Sequence, residues 1–297
     1  MSLRELFTSP AGRFLSSERT LDEAEWAFLG VPLDVSSTFR PGSRSAPLAV
    51  RKASLGLEIR SLITGSRLNA LRICDIGDLH ITLDVEETLR KLEAVVEELV
   101  RASKKVAVVG GEHTITLGIV PGLKKALRMP KVIIFDAHLD MRDEFQGVRI
   151  CHTTVGRRLT ELVGPDRMAF LGVRACSDEG LDFARENGIM VITSRELRAK
   201  GAREVIRSLE PILDLEGPLH ISLDMDVLDP SFAPAVQTPE PFGLEPGELL
   251  ELLTALCRRG LTSFDLVEMA PDYDNGQTAI LAARLLAEVM WAGSGHA

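Results

Sequence analysis

The chain has 297 residues, of which 45% are hydrophobic and 26% charged, and it carries a net charge of −9. That is room for one large domain or two ordinary ones, with the composition of a globular protein. The acidic balance argues against a nucleic-acid surface, which needs clustered Lys and Arg, and suits a small cationic ligand. No apolar run reaches the roughly 18 residues that span a membrane, so neither nucleic acid nor membrane is an expected partner. The opening stretch MSLRELFTSPAGRF lacks the apolar core of a secretory signal. Cys74, Cys151, Cys176 and Cys257 are scattered without CxxC spacing and read as free thiols of a reducing compartment. The expected location is the cytoplasm.

In chain order, an apolar run at 26–32 predicts a strand, and an amphipathic segment at 47–59 a helix. A strand at 71–76 precedes the clearest helix, LDVEETLRKLEAVVEELVRASKK at 83–105, whose apolar positions recur every three or four residues. Strands at 106–110 and 132–135 flank a helix at 117–127. Strands at 168–174 and 190–193 follow, then a helix at 194–209, a strand at 219–223, a helix at 246–259, a strand at 263–267 and a helix at 277–290. Continuous apolar strands alternating with helices predict a parallel sheet covered on both faces. Periodicity alone leaves an open doubly wound sheet and a closed barrel both standing. With no repeat and no Pro/Ser-rich linker, residues 1–297 are expected to form one domain.

Either architecture binds its ligands at the C-terminal ends of parallel strands. Four such ends carry unusual residues: GGEHTIT with His113, DAHLD with Asp136, His138 and Asp140, DMDVLDP with Asp224 and Asp226, and EMAP with Glu268. Residues i, i+2 and i+4 of an extended segment share a face. Several carboxylates packed together would repel strongly, and cations relieve that repulsion. Mixed imidazole and carboxylate ligands suit Mn²⁺, Fe²⁺, Co²⁺ or Zn²⁺ better than Ca²⁺ or Mg²⁺, and this inventory suits a two-metal hydrolase site. Each motif alone has an ordinary structural reading, as a core histidine, a turn or a helix cap. Their combination at strand ends favours metal. Asp229, before Pro230, reads as a backbone cap. His80, His220 and His296 carry no motif, and His220 reads as packed or surface.

These segments, GGEHTIT, FDAHLD, SLDMDVLDPSFAP with TPEP, and DLVEMAPDYD, resemble the ureohydrolases, the arginase and agmatinase group. GVPLDVSSTFRPGSRSAPLAVRKAS and DIGDL extend the resemblance upstream, with Asp75 and Asp78 read as turn residues. The resemblance implies a three-layer α/β/α fold with an eight-stranded, mainly parallel sheet. It implies two Mn²⁺ per subunit, one held by His113, Asp136, Asp140 and Asp224, the other by Asp136, His138, Asp224 and Asp226. It implies a homo-oligomer, trimer or hexamer, acting on a small cationic guanidino substrate. Asp140 would carry a proton to the leaving amine, Glu268 would pair with the guanidinium, and His152 would shuttle protons or contact substrate. The alternative for His152 is a loop histidine capping a helix that begins near Thr153.

The expected reaction is agmatine to putrescine and urea. MRDEFQGVRICH lacks the Asn-rich pattern of arginases, and ACSDEG lacks their DVD. Asp143 or Glu144 would meet the distal ammonium, or both are solvated loop charges. The family's glycine-rich turn appears here as AVQTPEPFG, which retains Thr238, a candidate substrate contact, but places Gln237 and Phe242 where glycines are usual. Those side chains are expected to reshape the pocket wall, which leaves arginine or a guanidino acid such as guanidinobutyrate as alternatives. A non-catalytic metal-binding relative would have lost a ligand. A single-zinc deacetylase would carry a His-His pair.

Overall fold

A computed structural model describes residues 2–295, so His296 lies outside the described residues. Nine strands form one sheet: β1 (Thr8–Ser9), β2 (Trp26–Val31), β3 (Ile73–Leu79), β4 (Lys105–Gly110), β5 (Lys131–Phe135), β6 (Met168–Val173), β7 (Met190–Thr193), β8 (Leu219–Asp224) and β9 (Leu261–Val267). Their spatial order is β1-β3-β2-β4-β9-β8-β5-β6-β7, which is open rather than a barrel. Every pairing is parallel except β1 with β3, where Thr8 faces Leu79. The sheet therefore has nine strands rather than the eight expected. The extra one is two residues long and is held on an edge by β3 rather than by any pattern of its own.

Among the described residues ten α-helices complete the fold: α1 (Leu3–Phe7), α2 (Ala46–Ser54), α3 (Val85–Arg101), α4 (Thr116–Ala126), α5 (Val155–Val163), α6 (Asp178–Glu186), α7 (Ser194–Ser208), α8 (Glu210–Leu213), α9 (Pro246–Cys257) and α10 (Gln277–Gly293). Strand side chains alternate between two cores. Phe28, Val109 and Phe135 point into the layer of α2, α7, α9 and α10. Leu29 and Val108 point toward α3 and α4, and Val132 and Ile134 toward α5. The period of two buries both faces of every central strand, so β2, β4 and β5 read as mainly apolar runs, while β8 and β9 also bury His220, Ser222, Ser263 and Asp265.

Asp75 and Asp78 are fixed by a buried arginine. Arg51 bonds Asp75 through Nε at 2.8 Å and Nη2 at 2.9 Å, and Asp78 through Nη1 at 2.6 Å. Its guanidinium lies 4.7 Å from the Phe28 ring centroid. Gly77 between the acids has φ +88, and a Cβ there would fall 2.0 Å from Ser9 O, so glycine is required where β1 crosses. Removing the cation strands two carboxylates. Arg51→Ala is expected to lower unfolding free energy by about 3–5 kcal/mol in a urea titration. Arg51→Lys, which lacks the planar fork, should recover only part of it; full recovery would reduce the site to a point charge.

Candidate active site

The four central strands in spatial order, β4, β9, β8 and β5, end in one polar floor. His113 follows β4 on a short turn, Glu268 follows β9, Asp224 closes β8 with Asp226 on the next turn, and Asp136, His138 and Asp140 follow β5. The chain leaves β4 for β5 across the gap that β8 and β9 fill, and such a switch point is where open α/β sheets carry ligands.

Two groupings share one carboxylate. His113 Nδ1 lies 3.2 Å from Asp136 Oδ2, 3.4 Å from Asp224 Oδ2 and 3.6 Å from Asp140 Oδ2. His138 Nδ1 lies 3.0 Å from Asp226 Oδ2 and 3.6 Å from Asp136 Oδ1. All six predicted ligand positions thus lie on one floor, with Asp136 between the groups. Asp224 faces the first group, while its Oδ1 accepts the N–H of Asp226 at 2.8 Å.

The charges of this floor do not balance by themselves. Burial and the neighbouring Asp136 push the Asp140 carboxyl above its ordinary range. Burial, Asp226 and Asp136 push Asp224 well above it. For Asp136 burial acts upward but His113 and His138 outweigh it, so it is held low. The His113 ring is driven up by three carboxylates despite its burial. Acids pulled in opposite directions beside raised imidazoles mark a site short of positive charge. His113 Nδ1 and Asp136 Oδ2 are, moreover, buried without a hydrogen-bond partner. A buried polar atom is normally paired, and a dication seated among these oxygens and nitrogens would satisfy both. The donor set fits a divalent transition metal.

Behind the floor, His113 Nε2 lies 3.0 Å from Ser222 Oγ, and Ser222 donates to Asp265 Oδ1 at 2.5 Å. Asp265 Oδ2 lies 3.1 Å from His220 Nε2. Ser222, Asp265 and His220 are fully buried. His220 is therefore packed and bonded, not surface. Sequence reasoning gave no role to Ser222 or Asp265, though polar residues inside otherwise apolar strands were the available signal.

Asp140 and Glu268 both adopt left-handed backbone, at φ +50 and +63. Such strain in non-glycine residues gathers at functional sites. Glu268 is buried, and its Oε1 accepts the His113 N–H at 2.5 Å. Its Oε2 has no partner. Burial, then the charges of Glu112 and Asp140, raises its carboxyl well above the ordinary range.

A cavity of about 300 Å³ opens over the floor, walled by His138, Asp140, His152 and Thr238 among others. Thr238 Oγ1 donates to Asp226 Oδ2 at 3.2 Å. His152 stands at the mouth, between Ser36 and Thr38, at the head of the turn leading into α5. Asp143 takes Arg158 at 2.6 Å and Arg149 at 3.0 Å and does not wall the cavity; the exposed Glu144 does not either.

The expectation that Gln237 and Phe242 reshape the wall fails. Gln237 turns away to bond Asp34 at 3.4 Å and Ser37, and Phe242 is 77% exposed at φ +68. Gln237 instead ties the 34–37 segment to the loop that carries Thr238. Asp229 caps that loop, accepting from Ser231 N and Gly243 N at 3.0 Å each.

An open, mainly parallel α/β sheet ending in paired imidazole and carboxylate groups is an arrangement suited to holding divalent cations. A sequence model described as the arginase family matches residues 24–292, and the chain belongs to that family; it is a ureohydrolase, a hydrolase of guanidino compounds, most similar to agmatinases. An agmatinase of Bacillus anthracis is 31% identical over 93% of this chain and 94% of its own. A guanidinobutyrase of Pseudomonas aeruginosa is 33% identical over 93% and 88%. The solved agmatine ureohydrolase of Thermoplasma volcanium superposes with a TM-score of 0.87 at 34% identity, covering 98% of this chain and 97% of that one.

Proposed function

We propose that this chain, as one domain, hydrolyses agmatine to putrescine and urea with two Mn²⁺ per subunit. The observation that carries the proposal is the shared carboxylate floor, in which His113 Nδ1 and Asp136 Oδ2 are orphaned and Glu268, bonded to the His113 N–H, leaves its Oε2 unpartnered among the described residues. One ion would take His113, Asp136, Asp140 and Asp224, the other Asp136, His138, Asp224 and Asp226. Bound dications supply water that ionises near neutral pH, the strong nucleophile that a resonance-stabilised guanidinium requires. Glu268 pairs with the guanidinium nitrogens by charge-assisted hydrogen bonds and orients the carbon over the floor. The Asp140 carboxylate moves a proton toward the leaving amine. His152 exchanges protons at the mouth, and Thr238 steadies Asp226 beside the substrate.

One observation favours a second reading, a guanidino acid. Among the described residues walling the cavity, Asp140 is the only carboxylate and Arg142 the only Lys or Arg. With Asp143 committed to arginines, an acidic tail meets Arg142, while an ammonium tail finds no spare carboxylate there. We place the enzyme in the cytoplasm as a homo-oligomer, trimer or hexamer. Its four cysteines are free, and Leu62 and Ile63, 92% and 88% exposed, are candidates for subunit contact. No helix of the described residues is long and apolar enough to cross a membrane.

The test is urea release by the full chain with added Mn²⁺, offered agmatine, arginine, guanidinobutyrate and guanidinopropionate. Agmatine is expected to turn over fastest, and chelation should abolish release. Fastest turnover of guanidinobutyrate moves the assignment to the second reading. No urea from any of the four, with metal bound at both positions, removes the hydrolase reading.

A further inference from the structure

Glu112, inside GGEHTIT, has no part in the scheme above, yet it is fully buried beside the site. Its carboxylate accepts four hydrogen bonds. Oε2 takes the backbone N–H groups of Val35 and Ser36 at 2.7 Å each. Oε1 takes the hydroxyls of Ser36 at 2.8 Å and Thr114 at 2.6 Å. Gly111 permits this approach, since a Cβ there would fall 1.7 Å from Leu33 O. Ser36 in turn reaches His152, with its Oγ 2.9 Å from Nδ1 and accepting the His152 backbone N–H at 3.3 Å. The other ring nitrogen, Nε2, lies 3.3 Å from Thr38 Oγ1 at the cavity mouth.

Counting protons fixes the direction of this chain. A carboxylate only accepts, so the single hydroxyl proton of Ser36 goes to Glu112 Oε1. The Ser36 oxygen then offers only lone pairs to the imidazole. A neutral ring facing an acceptor at Nδ1 must carry its proton there, because the bond made by one ring nitrogen sets the state of the other. Nε2 is left with its lone pair, toward Thr38 and the cavity.

We infer that Glu112, acting through Ser36, is a positioning residue that fixes the His152 tautomer, with Nε2 as the basic nitrogen at the mouth. Only the kinetic consequence rests on the proposed hydrolysis; the tautomer does not.

Glu112→Gln makes an opposite prediction for the ring. The amide oxygen must stay where the Val35 and Ser36 N–H groups point, which turns the NH₂ toward Ser36 and Thr114. The Ser36 hydroxyl then has to donate to Nδ1, and the ring proton moves to Nε2. Ser36→Ala breaks the relay while leaving the Glu112 charge in place.

The measurement is a long-range ¹H–¹⁵N correlation of the imidazoles at a pH where the ring is neutral. It uses the ¹⁵N-labelled full chain without added metal, with the His152 signals assigned by their loss in His152→Asn. The expected result is Nδ1–H in the wild type, Nε2–H in Glu112→Gln, and no single preference in Ser36→Ala. An Nε2–H wild type, or the same tautomer in wild type and Ser36→Ala, overturns the relay.

In the Mn²⁺-loaded enzyme, both variants should lose about 10²-fold in kcat, the scale of one general acid–base group. KM and metal content should hold. A flipped tautomer with unchanged kcat upholds the relay and removes His152 from turnover, so the two failures are separable.

Discussion

Asp136→Ala should lose both bound ions and all measurable turnover. Among the described residues, Asp136 is the one side chain that faces both imidazoles, with Oδ2 toward His113 and Oδ1 toward His138. It is fully buried. Loss of an outer-shell partner weakens metal binding about 10–100-fold, and loss of a shared ligand should weaken both positions by more than that. The measurement is metal content after dialysis against Mn²⁺, together with thermal unfolding with and without the ion. Metal at a hundred times its Kd stabilises a binding-competent fold by about 2.7 kcal/mol. The wild type should show that shift in unfolding temperature, and Asp136→Ala should not. A variant that keeps one full equivalent of metal would show that Asp136 belongs to a single position.

The parts of this protein legible in its sequence are those set by local periodicity. After Lys131 the strand KVIIF is apolar because Ile133 and Phe135 enter one core while Val132 and Ile134 enter the other. The polar groups that follow could be named as a constellation because the ends of parallel strands converge, whatever the helices do. The illegible parts depend on contacts remote in sequence. Asp143 looks like a free acid until Arg158 arrives from α5 and Arg149 from its own loop. Gln237 looks like a pocket residue until Asp34 and Ser37 turn out to be its partners across the fold. Helix α6 fully buries only Gly180 and Ala184, with Leu181 and Phe183 half-buried against the core, so its apolar face is short and weak in sequence. Strand β1 is too short for any period to appear. Glu112 was hidden for another reason. It sits beside a histidine that reads as a ligand, and the backbone N–H groups it accepts from lie 76 and 77 residues upstream.

Glu268→Gln should separate metal binding from chemistry. Glu268 touches the floor through one bond only, Oε1 accepting from the His113 backbone N–H, and the glutamine oxygen keeps that acceptor. The backbone is held independently, with Glu268 N donating to Gly111 O at 2.9 Å and Glu268 O accepting from Gln237 N at 3.0 Å. Both metal positions should therefore fill as in the wild type. What disappears is the negative charge at Oε2, which has no hydrogen-bond partner among the described residues. A buried carboxyl raised in pKa is costly to ionise alone and cheap to ionise against a cation, so an arriving guanidinium would draw out the charge that then holds it. Truncating one side of a buried, hydrogen-bonded charge pair costs roughly 2–5 kcal/mol, which puts the loss in kcat/KM near 10³-fold. Glu268→Ala should lose at least as much. Steady-state urea release with metal content measured on the same sample decides the matter. Full metal with turnover close to wild type would take Glu268 out of substrate binding and leave its strained backbone and orphaned oxygen without a purpose in this site.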